Sequence, residues 1–546
     1  MSIIKNIILI SIDDLRFDCI GCEEDKRLLR EYGVEKLVNT PNIDKLAKNG
    51  VRFSRCISTS SYTPPSHASM LTGLYPNKHG IVTFFGKLPK DIYTLAEILN
   101  REGYKTFARI EHLVLKLQDI TRGISVIDDP QNDENEVFSY FSKRTNHKDE
   151  KIFLFIHLFD VHKPYYYATG GEERKQYNKD YFDIIREISE RRDIDFDSLL
   201  EKAEKEARMV VKNYDELSSS LREYANMRSL DYLLREHLRD KGTLFDEIIP
   251  LYVKGVNKFD RGKFHDLIHK LDEFKLLEDS LLIITSDHGE TRCVWNGRED
   301  FMNSFNLQEG AIRVPLILYS ENLPKGEVID SPVSLIDIVP TVLDMIDSNF
   351  SSSEFDGESL LPLIEDGEEW KDRYILSETW AYRGGINQFG IIDYNHESFR
   401  RQIAVIKDGY KYIKTGAEIS EEDMEIKEDS EFVKTLFRKI LGEFENETEL
   451  RDWTSRLKNK EIDRNKLKEI FLGKINKLNL RKMLFNVDKD IEEKNNLFGS
   501  SRYQDIIKEL NDKVCEYEER GITQEGPNKE DMEKVKERLR LLGYLD

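Results

Sequence analysis

Three short stretches of the chain hold residues whose types and spacing could do chemistry together. Asp13 and Asp14 are adjacent carboxylates directly after the apolar run Asn6–Ile12. Asp287 and His288, with Gly289 and Glu290, follow a second such run, Leu281–Thr285. Carboxylates crowded at one place repel each other unless a cation lies between them. Three aspartates and a histidine supply oxygen and nitrogen ligands that suit one hard to borderline divalent cation, with Ca²⁺, Mn²⁺ or Mg²⁺ foremost and iron or zinc as alternatives. The third stretch is Tyr62–Gly80, YTPPSHASMLTGLYPNKHG, where Thr63 stands before two prolines and a short amphipathic run. Proline is tolerated at the first helical position, so Thr63 is expected to be the N-cap and Pro64 the first helical residue. A helix N-terminus favours a bound anion, and a hydroxyl held there is a candidate nucleophile. Each feature has a plainer alternative, a simple helix cap or a solvated strand end, and only their combination makes a metal site the better reading.

The elements that must position these residues follow from periodicity. Asn6–Ile12 is a continuous, β-branched apolar run, the pattern of a strand buried on both faces of a parallel sheet. It places Asp13 and Asp14 at a strand's carboxyl edge, where open α/β sheets put their ligands. A helix is expected over Asn42–Gly50, a strand over Val51–Ser54, a helix over Thr94–Gly103 and a strand over Tyr104–Ala108. Lys151–Phe159, KIFLFIHLF, is a further buried strand that delivers Asp160, His162 and Pro164 at its end. Residues 165–246 turn highly charged with apolar residues at helical spacing, a helical insertion whose composition favours a solvated decoration over a wall or lid. A helix over Val256–Leu276 leads into the strand Leu281–Thr285, which Gly289 ends by turning the chain sharply. Arg313–Tyr319 is a strand and Leu335–Met345 a helix. Past Trp370 the stretches YILSETW, RRQIAVIKDGYKYIK and RKMLFNVD look like short antiparallel strands, interrupted by a charged helical insertion over about 418–477. Helices are expected over Tyr503–Glu518 and Lys529–Leu542.

With 546 residues, the chain is long enough for two domains or one domain with insertions. A net charge of -21 argues against general nucleic-acid binding, which requires cations along a phosphate backbone. No apolar run approaches the roughly 20 residues of a membrane span. The opening MSIIKNIILISIDD reads as a buried strand and not as a signal peptide, which implies the cytoplasm. Five cysteines, an odd number, suit a reducing compartment, and Cys19 and Cys22 read as structural.

The motifs in order, ISIDDLRFDCIGC, NIDKLAKNGVRFSRC, TPPSHASMLTGLYPNKHGI, HLFDVHKPY, LLIITSDHGE, EGAIRVPLIL, VSLIDIVPTVLDMI, FDGESLLPLI, KDGYKYI and MLFNVDKDIEEKNNL, resemble the sulfatase family of the alkaline phosphatase superfamily. The resemblance implies an α/β fold, a large mixed sheet sandwiched between helices, over 1–370. It implies a smaller C-terminal α+β domain built on an antiparallel sheet over 371–546. It further implies one divalent metal held by Asp13, Asp14, Asp287 and His288, a nucleophile at Thr63, and His162 near the transferred group or its leaving oxygen. Four departures stand out. Family sulfatases convert a Cys or Ser at the Thr63 position to formylglycine, and threonine is not a substrate for that conversion. Relatives with threonine there tend to act on phosphoryl esters. The motif's arginine is His67 here, and the family's GKWHLG block survives only as His112 in ARIEHLV. The cation usually found before E-G-x-R-V-P has no counterpart, leaving Asn303 and Asn306 as donors to substrate.

The expected activity is therefore metal-dependent hydrolysis or transfer of a small-molecule or glycan-like anionic phosphate or sulfate ester through Thr63, assisted by His162 or His67. A sulfatase acting without formylglycine is the alternative within the enzymes, and a non-catalytic metal-binding or regulatory protein is the alternative outside them.

Overall fold

The computed structural model describes residues 4–82, 87–111, 114–128, 136–143, 150–165, 174–210, 214–216, 219–295, 298–302, 306–350, 354–365, 367, 369–370, 372–382, 399–416, 421–437, 447–476 and 482–519. The chain is built on a nine-stranded mixed sheet. Its strands are β1 (Asn6–Ile12), β2 (Val51–Ile57), β3 (Tyr104–Ile110), β4 (Val126–Asp128), β5 (Lys151–Leu158) and β6 (Ser280–Thr285). After a two-stranded hairpin of β7 (Thr291–Trp295) and β8 (Arg298–Met302), β9 (Arg313–Tyr319), β10 (Glu327–Ile329) and β11 (Val333–Ser334) complete it. The spatial order is β10-β2-β9-β6-β1-β5-β3-β4, with β11 beside β2. β1 lies between β5 and β6 and runs parallel to both, whereas β9 is antiparallel to β6 and to β2.

The apolar runs explain this placement, because both faces of the sheet are covered. In β1, Ile8, Ile10 and Ile12 enter one core while Ile7 and Leu9 enter the other. In β5 the same alternation sends Leu154 and Ile156 one way and Phe153 and Phe155 the other. A continuous hydrophobic strand is what a doubly covered sheet demands.

The insertion forms three helices, Arg174–Arg191, Phe196–Val210 and Ser219–Asp240. The expectation of a solvated decoration is corrected here: Tyr181, Ile185, Leu199, Met227, Leu230 and Leu234 are buried in the core that covers one face of β1 and β5. Charged residues cover the remaining helix faces, and the high charge density of the segment masked its apolar stripe. The helix expected from Val256 begins earlier, at Leu244, and runs to Phe259 with Pro250 inside it. A π-helical turn, Asp260–Phe264, joins it to His265–Glu273. The Asp260 carboxylate accepts from the backbone N–H groups of Asn42 and Ile43, and so caps the helix Pro41–Lys48.

The C-terminal part carries a four-stranded antiparallel sheet of β12 (Ile375–Tyr382), β13 (Phe399–Lys407), β14 (Tyr410–Thr415) and β15 (Lys482–Asn486). One face packs Val405, Tyr412 and Leu484 against Leu510, Val514 and Tyr517 of the helix Gln504–Glu519. The other face packs Ile375, Ala404, Ile413 and Phe485 against Ile57, Leu307 and Ile312. The charged helices of the second insertion gather Phe432, Leu436, Leu457, Leu467 and Phe471 into a separate small core. The helix expected over Lys529–Leu542 lies outside the described residues. Cys19 and Cys56 are buried, Cys22 and Cys515 are half-buried, and all four are free thiols. Among the described residues no helix is long and apolar enough to cross a membrane.

A fully buried lysine joins the two sheets. Lys411 Nζ lies 3.0 Å from Glu309 Oε1, 2.6 Å from Glu493 Oε1 and 2.9 Å from the Leu307 carbonyl oxygen. Lys411→Met should destabilise the fold by about 3–5 kcal/mol, since removing one partner strands buried charge. Burial lifts the Glu493 pKa to about 7 even against the pull of Lys411. A carboxyl group whose folded pKa lies above its unfolded value supports the native state at low pH and loses that support as pH rises from about 4 to about 7. The variant's deficit should therefore be larger at about pH 8 than at about pH 5, measured as urea midpoints. Equal deficits at both pH values would contradict this account of the cluster.

Candidate active site

The acid cluster assembles because β1 and β6 are neighbours in register, with Ser11 opposite Thr285. Asp13 and Asp14 leave β1 side by side with Asp287 and His288 leaving β6. Asp14 takes a left-handed backbone, φ 63°, which aspartate tolerates better than most residues. Gly289 does not turn the chain through a positive φ as expected from the sequence; its role is close packing. A Cβ there would sit 2.4 Å from the Gly310 carbonyl oxygen and 3.1 Å from Arg16 Cγ. Arg16 is itself buried and paired with Asp18 at 2.7 Å, which fixes the loop after β1.

Ligand atoms of Asp13, Asp14 and His288 all lie within 4.8 Å of one another. His288 Nδ1 is 2.8 Å from Asp14 Oδ1, and His288 Nε2 is 3.2 Å from Asp287 Oδ2. Asp287 Oδ1 accepts from the backbone N–H groups of Asp14 at 3.3 Å and His288 at 2.9 Å. All four residues are fully buried. Asp13 Oδ1 and Asp287 Oδ2 accept no hydrogen bond among the described residues, an arrangement that costs stability unless a cation satisfies them. Three buried carboxylates, an imidazole and two such oxygens fit a divalent ion.

The electrostatics follow from this crowding. Burial lifts both Asp14 and Asp287 to about 6; the neighbouring carboxylates add to the shift and His288 opposes it. Burial works against charge on Asp13 too, yet the hydrogen bond from His157 and the charges of His162 and His288 hold it below the usual carboxylate range. For His288, burial opposes protonation but Asp287 and Asp14 outweigh it, and the pKa rises to about 10. A bound cation would reverse that preference by replacing the proton.

Thr63 meets this cluster directly. Its Oγ1 lies 3.3 Å from Asp13 Oδ2 and 3.3 Å from His288 Nε2. The expected capping role is corrected: the helix spans Thr63–Thr72, Tyr62 is the N-cap, and Thr63 is the first helical residue with no cap bond from its side chain. The hydroxyl is turned toward the carboxylates and away from the helix's own N–H groups. The preceding loop is anchored by Ser58 and Ser66, whose hydroxyls both donate to the Asp287 carbonyl oxygen, at 2.5 and 2.7 Å.

His67 is fully buried, with Nδ1 at 2.9 Å from the Thr63 carbonyl oxygen and Nε2 at 2.9 Å from Ser11 Oγ. Burial, reinforced by His157, pushes its pKa well below the ordinary value. His162 is half-buried and stacked on Phe159 at 4.3 Å, with Nδ1 2.7 Å from the Lys163 carbonyl oxygen and Nε2 3.5 Å from Asp14 Oδ2. Burial also lowers its pKa well below the ordinary histidine value. Asn306 Oδ1 accepts from the Gln308 backbone, while its Nδ2 is buried with no acceptor among the described residues. His112 and Asn303 lie outside the described residues.

Several partners of these groups were not singled out from the sequence. His157 Nε2 lies 3.2 Å from Asp13 Oδ2; after Lys151 at the start it is the one polar side chain of the apolar β5, and that contrast was its only signal. Glu290 receives the Tyr165 hydroxyl. Asp160, delivered at the end of β5 as expected, shares Lys263 with Glu111, which comes from the end of β3.

A large mixed sheet whose strand ends gather carboxylates and a histidine around a helix-borne hydroxyl defines an ester hydrolase of the alkaline-phosphatase-like fold. The chain belongs to the sulfatase family: the family description Sulfatase matches residues 5–348. Steryl-sulfatase of Homo sapiens is 25% identical over 446 residues, covering 68% of this chain and 71% of that protein. An arylsulfatase of Clostridium perfringens is 23% identical over 412 residues, covering 68% and 81%. Among solved structures, one described as in complex with its substrate D-glucosamine-2-N,6-O-disulfate superposes with a TM-score of 0.57 at 16% identity, covering 96% of this chain and 99% of that one. A phosphonate monoester hydrolase from Silicibacter pomeroyi gives 0.52 at 16% identity, covering 95% and 96%. At such identities the superpositions bear on the fold alone.

Proposed function

We propose that this protein hydrolyses anionic phosphate or sulfate esters by attack of Thr63 Oγ1 on the phosphoryl or sulfuryl centre. The observation that carries the proposal is the hydroxyl's position, 3.3 Å from both Asp13 Oδ2 and His288 Nε2 within a buried acid cluster. A divalent ion held by Asp13, Asp14, Asp287 and His288 would supply Lewis acidity toward the ester's non-bridging oxygens and lower the hydroxyl's pKa. Thr63 Oγ1 forms the new bond as the bond to the alcohol oxygen breaks, and its proton has Asp13 Oδ2 as the adjacent acceptor. Water then cleaves the ester on Thr63 and restores the hydroxyl.

His162 is the group for proton traffic. With Nδ1 directed at the Lys163 carbonyl, Nε2 is left as the atom that gives a proton to the departing alkoxide in the first step and regains one from the water that cleaves the ester on Thr63. His67, with both nitrogens engaged, holds the Thr63 backbone in place. His162→Ala should slow esters with poorly departing alcohols by roughly a hundredfold and affect nitrophenyl esters much less. A series of leaving groups of graded acidity reads this out, and a uniform loss across the series would remove His162 from the proton-transfer role.

Intact mass after rapid quench with a nitrophenyl phosphate or sulfate tests the central step. A phosphate or sulfate increment mapped to Thr63 is expected, and turnover with no such adduct under any quench condition would refute it. Whichever of phosphate and sulfate esters turns over faster separates the phosphoesterase reading from that of a sulfatase working without formylglycine.

A further inference from the structure

Apart from a metal, the cluster around Thr63 is rich in carboxylates, so an approaching tetrahedral oxyanion needs a cation from the protein. The segment His162–Tyr165 is held against the cluster at both ends. His162 Nε2 lies 3.5 Å from Asp14 Oδ2, and the Tyr165 hydroxyl bonds to Glu290, the residue two past His288. Lys163 lies between these two anchors, half-buried, and its ammonium has no hydrogen bond or ion pair among the described residues. A half-buried ammonium with no hydrogen bond or ion pair among the described residues, in a segment whose His162 and Tyr165 touch the buried carboxylates Asp14 and Glu290, is an uncommon arrangement because burial of a charge ordinarily brings a paired counter-ion with it.

The inserted helix Ser219–Asp240 backs this segment. Arg228, Asp231 and Arg235 are spaced to lie on one helical face. Arg235 stacks over the Tyr165 ring at 5.4 Å and pairs with Asp231 at 2.7 Å, which directs that face at the His162–Tyr165 segment. The charges of Arg228 and Lys163 both act on His162, and that of Lys163 also reaches Glu290. The insertion therefore places positive charge on the same side of the site as Lys163.

We propose that Lys163 binds the oxyanion of the substrate's phosphate or sulfate group at this site, with Arg228 of the inserted helix adding to the positive field. The proposal rests on the ester-hydrolase reading for its substrate class, but binding of the anion does not require turnover. Its chemistry is that of an ammonium donating charge-assisted hydrogen bonds to tetrahedral oxygens, the kind of contact that carries much of phosphate recognition.

Calorimetric titration of the metal-loaded protein with inorganic phosphate and with inorganic sulfate tests it. Lys163→Gln should weaken binding of the preferred anion by about tenfold or more, whereas Lys163→Arg, which keeps the charge, should stay within about threefold of wild type. Lys163→Ala gives a second measure with smaller steric demand, and a melting curve identifies a variant that is folded. The nucleophile assignment is read separately, from the quench adduct on Thr63 of the wild-type protein, so its failure leaves the anion titration of the Lys163 variants unaffected and the two failures give different results. Wild-type affinity in both folded Lys163→Gln and Lys163→Ala would overturn the proposal, as would a wild-type protein that binds neither anion.

Discussion

Thr63→Ala should lower turnover of every ester the protein cleaves by roughly three orders of magnitude or more, while leaving the fold and the metal content as they are. The size of the effect follows from what the side chain does. Among the described residues its Oγ1 makes two hydrogen bonds, both at 3.3 Å and both to the proposed metal ligands. Contacts of that length add little to stability, so the melting temperature should move by no more than about 1 kcal/mol would produce. Steady-state kinetics beside metal analysis and a melting curve check all three parts. Thr63→Ser, which preserves the hydroxyl at the start of the same helix, should keep most of the activity. Full activity in the alanine variant would show that another atom attacks.

Removal of the divalent ion should be as damaging to activity and, unlike the threonine substitution, should also weaken the fold. Chelation, or Asp287→Asn in place of it, is expected to reduce turnover by about a thousandfold or more. Without a cation, Asp13 and Asp287 are crowded together in a buried site, each with one oxygen that accepts no hydrogen bond among the described residues, and the charge on His288 is what remains to offset them. An ion present at a thousand times its dissociation constant stabilises the native state by about 4 kcal/mol, so chelated protein should melt measurably lower and recover when Ca²⁺, Mn²⁺ or Mg²⁺ is returned. Which ion restores both melting and turnover identifies the resident metal. Unchanged turnover and melting after exhaustive chelation would remove the metal from the account.

The elements that a continuous apolar run marks were legible before the structure. β1 matches its expected limits, and β5, β6 and β9 differ by a residue or less at each end. The strand-end acids were legible for the same reason, since a buried parallel strand can expose its chemistry only at an end. What was hidden depended on tertiary distance. His157 sits inside a strand whose pattern says core, and its bond to Asp13 joins residues 144 positions apart in the chain. Thr63 looked like a cap because the Pro-Pro sequence marks a helix start, but the start lies one residue earlier and the hydroxyl serves the cluster. The apolar faces of the inserted helices were masked by charge density, and so was the side of the site those helices occupy. The long helix from Leu244 was missed at its start because Pro250 and Gly255 interrupt the pattern that would have announced it.

The neighbouring positions of β1 and β6 also constrain when the site can come into being. The Asp14 backbone N–H bonds to the Asp287 side chain across 273 positions of chain, and β5 reaches the other side of β1 from the middle of that interval. During synthesis the first strand leaves the ribosome early and must wait, hydrophobic on both faces, until β5 and then β6 emerge to pair with it. The intervening helices have the chance to cover it, since Tyr181, Ile185 and Leu230 belong to the same core as Ile8 and Ile10. The ion-binding residues are thus brought together only after more than half the protein exists, so metal loading would report on completed topology and could not guide its first steps.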